Sequence, residues 1–416
     1  MTDPVSSGWH SLDSALSQAL SQLNAVTESE SVPLSSALGR VLASPIVAKH
    51  NVPPWDNSAM DGYAVIASNA VAGKTLKVTD TLLAGMNGET FEVTPDTAIR
   101  IMTGAPVPRG ATAVIMQENT CRLDNAIEVL QTARAGENIR PMGCDIAQGD
   151  TVIVAGTRLS AAHLMLIASL GADSVSVFRK LRVGLMATGD ELVSAGEECR
   201  PGQIYESNRA GIAGLLAPFE VEILDLGIVP DEPQRLKNTF KQAASEVDLL
   251  ISSGGVSVGD ADFVKAIVAE LGRIDFWKVA IKPGKPFAFG QLGKAIFCGV
   301  PGNPVSSYVT TQKLVLPIVR HLQGESAIAE SRTLPLKARL KGSINRKPGR
   351  LDFQRAHVTF DDQNQAWVSP LPKQSSAIMT TVTSANCFML IEQNVAELND
   401  GDWVCIQPFD LYGLWK

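Results

Sequence analysis

Near the start of the chain, apolar residues recur every three or four positions, as they do on one face of an amphipathic helix. These positions are Leu12, Ala15, Leu16 and Leu20. Ser11 stands just before them and is a suitable N-cap, because its hydroxyl can accept a hydrogen bond from the first helical turn. The pattern predicts helical structure over residues 11–48, with a second helix from Pro33 to Leu42.

Between about residues 51 and 148, short runs of alternating apolar and polar residues are separated by Gly, Pro, Asn and Asp. This texture is typical of strands joined by turns. Residues 159–171 return to helical spacing, and Gly171 is a suitable glycine to end a helix. The β-rich block is therefore predicted to be inserted into a helical segment.

Strand-like and helix-like segments alternate from residue 181 to residue 322, which predicts βαβ units and a parallel sheet. The predicted strands are 182–187, 221–226, 247–252 and 275–281, and the predicted helices are 207–217, 231–246, 261–271 and 304–321. From residue 333 onward the pattern predicts a small C-terminal β domain or barrel, with strands at 335–341, 353–360, 365–369, 387–391 and 402–407.

These patterns together predict an α/β multidomain protein. A central α/β domain with a mostly parallel sheet is joined by a helical and extended linker domain, an inserted β-rich domain and a C-terminal β-barrel-like domain. The predicted boundaries are 1–48 plus 148–179 for domain I, 49–147 for domain II, 180–328 for domain III and 329–416 for domain IV.

Composition and charge exclude several classes of protein. Of the 416 residues, 45% are hydrophobic, which excludes a disordered chain. The net charge of −7 argues against a general nucleic-acid binder. The six cysteines form no CxxC pair, so neither a zinc site nor a disulfide framework is expected. No apolar run suits a membrane span and the first residues lack a signal-peptide pattern, so we expect a cytoplasmic protein.

The strongest candidate site follows the predicted strand 247–252, where small residues are concentrated. These residues are Ser252, Ser253, Gly254, Gly255, Ser257 and Gly259. In a parallel sheet this loop lies at the edge where ligands bind, and glycines let backbone N–H groups approach an anion. A tight structural turn needs fewer small residues, so we interpret the loop as a substrate-binding site.

Acidic residues also follow the predicted strands. Asp190 and Glu191 form one pair, and their position at one strand end favours a Mg²⁺ site over a capped turn. For Asp231, which follows another strand, an N-cap role and a metal role are both open. Asp262, in the turn after the glycine loop, could equally cap a helix or hold a cation beside a phosphate.

Lysines and prolines mark a second candidate site. Lys278, Lys282 and Lys285 surround a Pro-Gly turn, and a predicted hairpin brings this turn near a loop that contains Pro301 and Pro304. Rigid loops that hold ammonium groups together form a suitable anion pocket.

Several polar residues elsewhere are ambiguous by composition alone. Asp61, Thr103 and Asp145 lie in turns of the β-rich block, and Arg350 and Ser376 lie in loops of the C-terminal region. From the residues alone, we interpret the first three as parts of structural turns and the last two as parts of surface loops.

The motifs in combination resemble the molybdopterin molybdenumtransferases, the molybdenum-insertion enzymes of molybdenum cofactor synthesis, which are related to the E domain of gephyrin. The resemblance covers about residues 10–410 and rests on nine motifs in order: PPWDNSAMDGYAV, IMTGAPVP, ENIRPMGCDI, ATGDEL, IYESNR, DLLISSGGVSVGDADF, AIKPGKPFAFG, VPGNPVSS and PGRLDFQR.

This resemblance implies an elongated homodimer in which the β-rich block of one subunit faces the α/β domain of the other. It implies transfer of molybdate, a co-substrate, to adenylylated molybdopterin with Mg²⁺ and release of AMP, and other cofactor-synthesis proteins as partners. The implied catalytic residues are Asp61, Thr103, Asp145, Glu191, Asp231, Asp262, Lys278 and Lys282, with Glu191 and Asp262 as metal ligands. The implied molybdate site consists of Lys282, Lys285, Arg350 and Ser376.

Three alternatives remain from the sequence. An adenylyltransferase that makes the adenylylated pterin resembles residues 181–322 alone, and the extra domains argue against it. A gephyrin-like scaffold would not need the acidic and lysine residues. An anion-binding storage protein would bind without turnover.

Overall fold

The computed structural model describes residues 9–256, 263–326 and 336–409, which form parts of two compact units. The first unit comprises Met1–Ala43, Gly156–Ser160 and Ser174–Lys416, and the second comprises Ser44–Ala155 and Ala161–Asp173. The predicted β-rich insertion falls within the second unit. The finer division into four domains remains a prediction.

The first helix spans Leu12–Ser21, and the Ser11 hydroxyl accepts a hydrogen bond from the Ser14 N–H at 3.1 Å, as the sequence predicts. The chain then becomes extended, and Ser29–Pro33 pairs antiparallel with Ser174–Phe178. The predicted helix from Pro33 to Leu42 is therefore wrong.

Only the single 3₁₀ turn Leu34–Ser36 forms in that stretch. Val41 pairs with Arg158 and Leu42 with Val177, so tertiary pairing takes the backbone groups that a helix would use.

The central sheet of the first unit has six strands. Their order across the sheet is Glu222–Val229, Arg182–Thr188, Leu249–Ser253, Ala295–Val300, Pro286–Leu292 and Gly272–Lys278. The first four are parallel neighbours, and the last two are antiparallel because a hairpin turn joins Pro286–Leu292 to Ala295–Val300. The sheet is mixed, and its parallel part is the part predicted from alternating strands and helices.

Both faces of this sheet are covered by helices. Leu249 and Ile251 belong to one apolar cluster and Leu250 belongs to another, because successive side chains of a strand point to opposite faces. Over both units, the α-helices among the described residues are Leu12–Ser21, Ala161–Ser169, Asn208–Leu216, Pro233–Glu246, Phe263–Leu271, Pro304–Thr310, Leu316–Leu322 and Thr380–Ser384. Within the described residues, no helix is long and apolar enough to cross a membrane.

A five-stranded barrel occupies the C-terminal part of the first unit. Its strands, in order around the barrel, are Leu351–Phe360, Ala366–Pro370, Leu336–Leu340, Trp403–Pro408 and Cys387–Ile391. The barrel closes because Cys387–Ile391 pairs with Leu351–Phe360. The short strand Ile281–Lys282 adds to the barrel in parallel with Leu351–Phe360, so a segment next to the central sheet becomes part of the barrel edge.

Two pairs of short strands complete the first unit. These pairs are Leu192–Val193 with Ile204–Tyr205, and Ile344–Asn345 with Glu397–Leu398.

The second unit is built on a six-stranded sheet. The strand order is Ala113–Met116, Gly62–Val65, Thr97–Ile101, Thr75–Leu82, Ala126–Val129 and Thr120–Arg122. Two short antiparallel pairs accompany it, Asn57–Ser58 with Ile139–Arg140 and Ile46–Val47 with Thr151–Ile153. The helix Ala161–Ser169 lies in the same unit, and Gly171 follows it with a φ of +76°, as predicted for a helix-ending glycine.

The predicted helix 304–321 contains an irregular turn. Pro304–Thr310 and Leu316–Leu322 are α-helical, and the intervening Thr311–Val315 forms a π-helical turn. Pro317 cannot donate a backbone hydrogen bond to the carbonyl four residues earlier, which explains why the regular ladder is interrupted here.

Lys313 lies in this π-helical turn. Its ammonium nitrogen is 5.7 Å from the centroid of the Phe353 ring and 5.5 Å from that of the Phe388 ring. Burial lowers the pKa of Lys313 from 10.5 to about 8.

We predict that Lys313→Met stabilises the protein at pH 7. Because the pKa of Lys313 is lowered in the folded state, the unfolded chain binds more protons between about pH 8 and pH 10.5. The lysine therefore destabilises the fold below pH 8, by on the order of 1–3 kcal/mol. Urea unfolding should show a higher free energy of unfolding for the variant at pH 7 and a smaller advantage at pH 10. An advantage that does not change with pH would contradict this cause, and Lys341→Met, at an exposed barrel lysine, is the control.

Candidate active site

The carboxyl ends of four parallel strands bring the predicted polar loops to one edge of the central sheet. Thr188, Val229, Ser253 and Val300 are the last residues of these strands. Polar or glycine-containing loops follow each of them, which is the usual place for a ligand in an open α/β sheet.

The glycine loop turns very close to its neighbouring strands. The Gly254 N–H donates to the Val300 carbonyl at 3.1 Å. A Cβ atom at Gly254 would lie 2.4 Å from the Thr188 carbonyl oxygen, and the φ of Gly254 is +88°. Both facts require glycine at this position. Gly255 has a φ of +66° and would clash with Val264 and Thr188 in the same way.

An asparagine that the sequence analysis did not single out joins two of these loops. The Asn208 side-chain amide donates to the Ser253 hydroxyl at 2.8 Å and to the Gly302 carbonyl at 2.7 Å. Asn208 is the first residue of the helix Asn208–Leu216. Its only sequence signal was its place inside the IYESNR motif.

Nearby serines carry unused hydrogen-bonding capacity. The hydroxyls of Ser252 and Ser307 are buried without a hydrogen-bond partner among the described residues. Buried polar atoms without partners are costly, so a ligand group or ordered water is the expected partner. Pro301, which is buried, and Pro304, the first residue of its helix, shape the same loop.

The acidic residues predicted at this edge form a connected group. Thr188 donates its hydroxyl to the Asp231 carboxylate, and the Asp231 N–H donates to the Asp190 carboxylate at 3.0 Å. Asp231 is not the N-cap of the following helix, because Glu232 occupies that position. The Thr188 hydroxyl was also missed from the sequence.

Glu191 is exposed, as Asp190 is, but its carboxylate accepts no hydrogen bond from the described residues. Within residues 9–256, 263–326 and 336–409, no three acidic, histidine or cysteine side chains cluster tightly enough to hold a metal ion alone. Ser257 and Asp262, two of the predicted site residues, lie outside the described residues.

A basic pocket of about 380 Å³ lies where residues 278–285, which we call the lysine loop, meet the barrel. Lys282 and Arg350, two residues of the molybdate site that the family resemblance implies, line it, whereas Lys278, Lys285, Pro301 and Pro304 do not. Arg346, Lys347 and the ring of Trp9 contribute to the same wall. Trp9 and Arg346 had no signal in the sequence analysis.

Strand pairing places the two predicted cations together. Ile281 and Lys282 pair with Leu351 and Asp352, so Arg350 comes next to the lysine loop. The Lys282 ammonium lies 3.2 Å from the carboxylate of Asp352, which is 2% exposed. A lysine has three N–H donors, so two remain available to a bound anion.

Three other predicted residues do not line this pocket. The Lys285 ammonium lies over the Trp9 ring, 4.7 Å from its centroid. Lys278 is half-buried at the end of Gly272–Lys278. The Ser376 carbonyl accepts a hydrogen bond from the Val305 N–H at 3.1 Å, so its loop contacts the Pro304 loop.

The β-rich unit contains a separate acidic centre. The backbone N–H and the hydroxyl of Thr103 both donate to one oxygen of Asp61, at 2.8 and 2.7 Å. These two hydrogen bonds hold the pKa of Asp61 below its ordinary value, and the backbone hydrogen bond has the larger effect. The positive charge of Arg100 lowers the pKa further. Asp145 lies in an exposed loop, tied by its own N–H to the Val52 carbonyl at 3.1 Å.

Similar proteins show the family. The molybdopterin molybdenumtransferase of Haemophilus influenzae is 42% identical over 400 residues, which cover 96% of this chain and 98% of that protein. The chain belongs to the molybdopterin molybdenumtransferase family. The molybdopterin molybdenumtransferase of Nostoc sp. is 39% identical over 312 residues, or 73% of this chain and 71% of that protein.

Three family profiles match successive segments that together span most of the chain. The MoeA N-terminal region (domain I and II) matches residues 10–171, the probable molybdopterin binding domain matches 184–321, and the MoeA C-terminal region (domain IV) matches 337–409. The crystal structure of the molybdopterin biosynthesis moeA protein of Pyrococcus horikoshii has a TM-score of 0.82 at 30% identity, covering 96% of this chain and 100% of that chain.

Membership of this family confirms the resemblance and the fold class predicted from the sequence. It makes the chain a transferase of molybdenum cofactor biosynthesis, and it does not favour the adenylyltransferase or scaffold alternatives.

We predict that Thr103→Val raises the pKa of Asp61. The change removes the hydroxyl donor and leaves the backbone donor, so the pKa should rise and still lie below that of a free aspartate. Carboxyl-carbon NMR titration of labelled aspartates would measure it. Thr103→Ser keeps a hydroxyl and should restore the lower pKa; an unchanged pKa in the valine variant would show that the hydroxyl contributes nothing.

Proposed function

We propose that this chain transfers molybdate to adenylylated molybdopterin, in a Mg²⁺-dependent reaction that yields molybdenum cofactor and AMP. The observation that carries the proposal is the basic pocket of Lys282 and Arg350 in the same unit as the glycine loop at Ser253 and Gly254. One substrate is an oxyanion and the other carries phosphates, so the reaction needs both kinds of site.

Molybdate binding is assigned to the basic pocket. Lys282 supplies a point charge, and the Arg350 guanidinium adds directional N–H donors that suit a tetrahedral oxyanion. Asp352, which is buried, holds one N–H of Lys282 and so fixes the direction of the others. Lys278, Lys285 and Ser376 are proposed to complete the anion environment.

The adenylylated pterin is assigned to the edge of the central sheet. Backbone N–H groups near Gly254 and Gly255, and the hydroxyl of Ser253, are suitable partners for phosphate oxygens. The hydroxyls of Ser252 and Ser307, which have no hydrogen-bond partner among the described residues, are further candidate donors. Ser257, Pro301 and Pro304 belong to the same proposed surface.

Mg²⁺ is proposed to bind at the acidic residues of this edge. Glu191 offers a carboxylate that accepts no hydrogen bond from the part of the chain that the structure describes, and Asp231 and Asp262 are the other proposed ligands or neighbours. A divalent cation there would offset the negative charge that develops on the phosphate as the phosphoanhydride is cleaved. Glu191 and its neighbours serve to hold the cation and the phosphate in one position.

Asp61, Thr103 and Asp145 are proposed to take part in the same reaction. Because Thr103 lowers the pKa of Asp61, its carboxylate stays ionised and is suited to orient a cationic group. A homodimer, a cytoplasmic location and contacts with other cofactor-synthesis proteins belong to the proposal as well, and sedimentation equilibrium would measure the first of these.

The decisive experiment incubates the protein with adenylylated molybdopterin, molybdate and Mg²⁺ and follows AMP release. AMP must appear only when all three are present. Binding of molybdate without AMP release would favour an anion-storage function instead.

We predict that Glu191→Gln slows AMP release and leaves the pterin nucleotide bound. The amide has the shape of the carboxylate but lacks the charge that attracts Mg²⁺. Single-turnover assays over a range of Mg²⁺ concentrations should show partial rescue at high Mg²⁺. Glu397→Gln, at an exposed residue of the short strand Glu397–Leu398, is the control. Wild-type rates at limiting Mg²⁺ would remove Glu191 from the metal site.

We predict that Lys282→Ala and Arg350→Ala each weaken molybdate binding. Loss of a hydrogen bond to a charged group costs about 1.5–3 kcal/mol, which is roughly tenfold or more in affinity. Isothermal calorimetry would measure the change, and Lys341→Ala is the matched control because Lys341 is an exposed barrel lysine outside the pocket. Unchanged affinity in both variants would contradict the pocket assignment.

A further inference from the structure

Residues 9 and 10 are extended and run alongside the lysine loop, where His10 forms a parallel bridge with Val279. The His10 N–H donates to the Lys278 carbonyl at 3.2 Å, and the Ala280 N–H donates to the His10 carbonyl at 2.7 Å. The His10 ring also lies 5.3 Å from the Phe276 ring, centroid to centroid. Backbone bonds on both sides and a ring contact therefore fix the position of Trp9.

Trp9 connects the basic pocket to one of the lysines beside it. Its side chain lines the pocket together with Lys282 and Arg350. The Lys285 ammonium lies 4.7 Å from the centroid of the same indole ring. This distance is within the range of a cation–π interaction, for which tryptophan is the best aromatic partner.

Two of the three lysines of this loop, Lys282 and Lys285, are held by partners of different kinds. Lys282 is paired with the carboxylate of Asp352, which cancels part of its charge. Lys285 has no carboxylate within ion-pair distance among the described residues. Its ammonium group contacts the face of the Trp9 indole instead. An aromatic face attracts a cation through its quadrupole and leaves the net positive charge intact.

We propose that Trp9 is a positioning residue for the anion pocket. It holds the Lys285 ammonium beside the pocket without neutralising it, so the charge is already in place when a tetrahedral oxyanion such as molybdate binds. The benefit is preorganisation, because a free lysine loses rotamer freedom when it is ordered by the ligand. This inference rests on the proposed function of the pocket. Trp9 lies outside the nine sequence motifs that indicated the family.

The test is a double-mutant cycle on molybdate affinity, measured by isothermal calorimetry with the full chain. Trp9→Leu should weaken binding roughly three- to tenfold, in proportion to a cation–π contact. Lys285→Met should weaken it at least as much. If Trp9 acts through Lys285, the double variant should bind no worse than Lys285→Met alone, within about twofold.

Two further variants separate positioning from packing. Trp9→Phe keeps an aromatic face and should recover much of the affinity lost in Trp9→Leu, and it also serves if the leucine variant folds poorly. Trp403→Leu is the matched control, because the Arg339 guanidinium carbon lies 4.3 Å from the centroid of that exposed barrel tryptophan, away from the pocket. It should leave molybdate affinity unchanged.

The outcomes distinguish this inference from the proposed function. If wild type binds molybdate and Arg350→Ala weakens binding, but Trp9→Leu does not, then Trp9 has no positioning role and the pocket assignment stands. Losses that simply multiply in the double variant would also overturn the role of Trp9. If wild type binds no molybdate at all, the pocket assignment and the inference fail together.

Discussion

The arrangement of the proposed site depends on one buried strand, Leu249–Ser253. It is hydrogen-bonded on both sides, to Arg182–Thr188 and to Ala295–Val300, and all five of its residues are buried. Since its neighbours leave no space at its end, the chain can continue only through glycine, and Gly254 passes so close to the Thr188 carbonyl that a Cβ atom could not fit. That constraint fixes the glycine loop against both neighbours, and Asn208 then joins it to the Gly302 loop.

A second constraint acts where the central sheet meets the barrel. Lys282 belongs to a barrel-edge strand by its pairing with Asp352, although it follows closely on a strand of the central sheet. The four cationic side chains that line the pocket repel each other, so the surrounding structure must hold them in place. They are Lys282, Arg346, Lys347 and Arg350. Asp352 holds Lys282, while Arg346 donates to the Arg350 carbonyl at 2.6 Å. An anion bound in the pocket would supply negative charge beyond that of Asp352.

Local periodicity was sufficient to locate most of the elements. The strands at the central sheet and the barrel lie where alternation and apolar runs predicted them, because the side-chain period of two depends only on having one buried face. The helix predicted over 33–42 failed for the opposite reason. The strand Ser29–Pro33 and the bridges of Val41 and Leu42 depend on partners more than a hundred residues away, which local pattern cannot reveal.

By itself, the sequence determined the fold class, most of the strands and helices, the glycine loop and the candidate cation Lys282, whereas Arg350 was indicated only by the family resemblance. Glycine, proline and apolar spacing constrain the backbone locally, so these features can be derived from neighbouring residues. Only the tertiary structure decided which side chains meet: Asn208 with Ser253, Asp352 with Lys282, and the ring of Trp9 with Lys285. These contacts join residues far apart in the chain, and their geometry exists only once strand pairing and burial have brought the segments together.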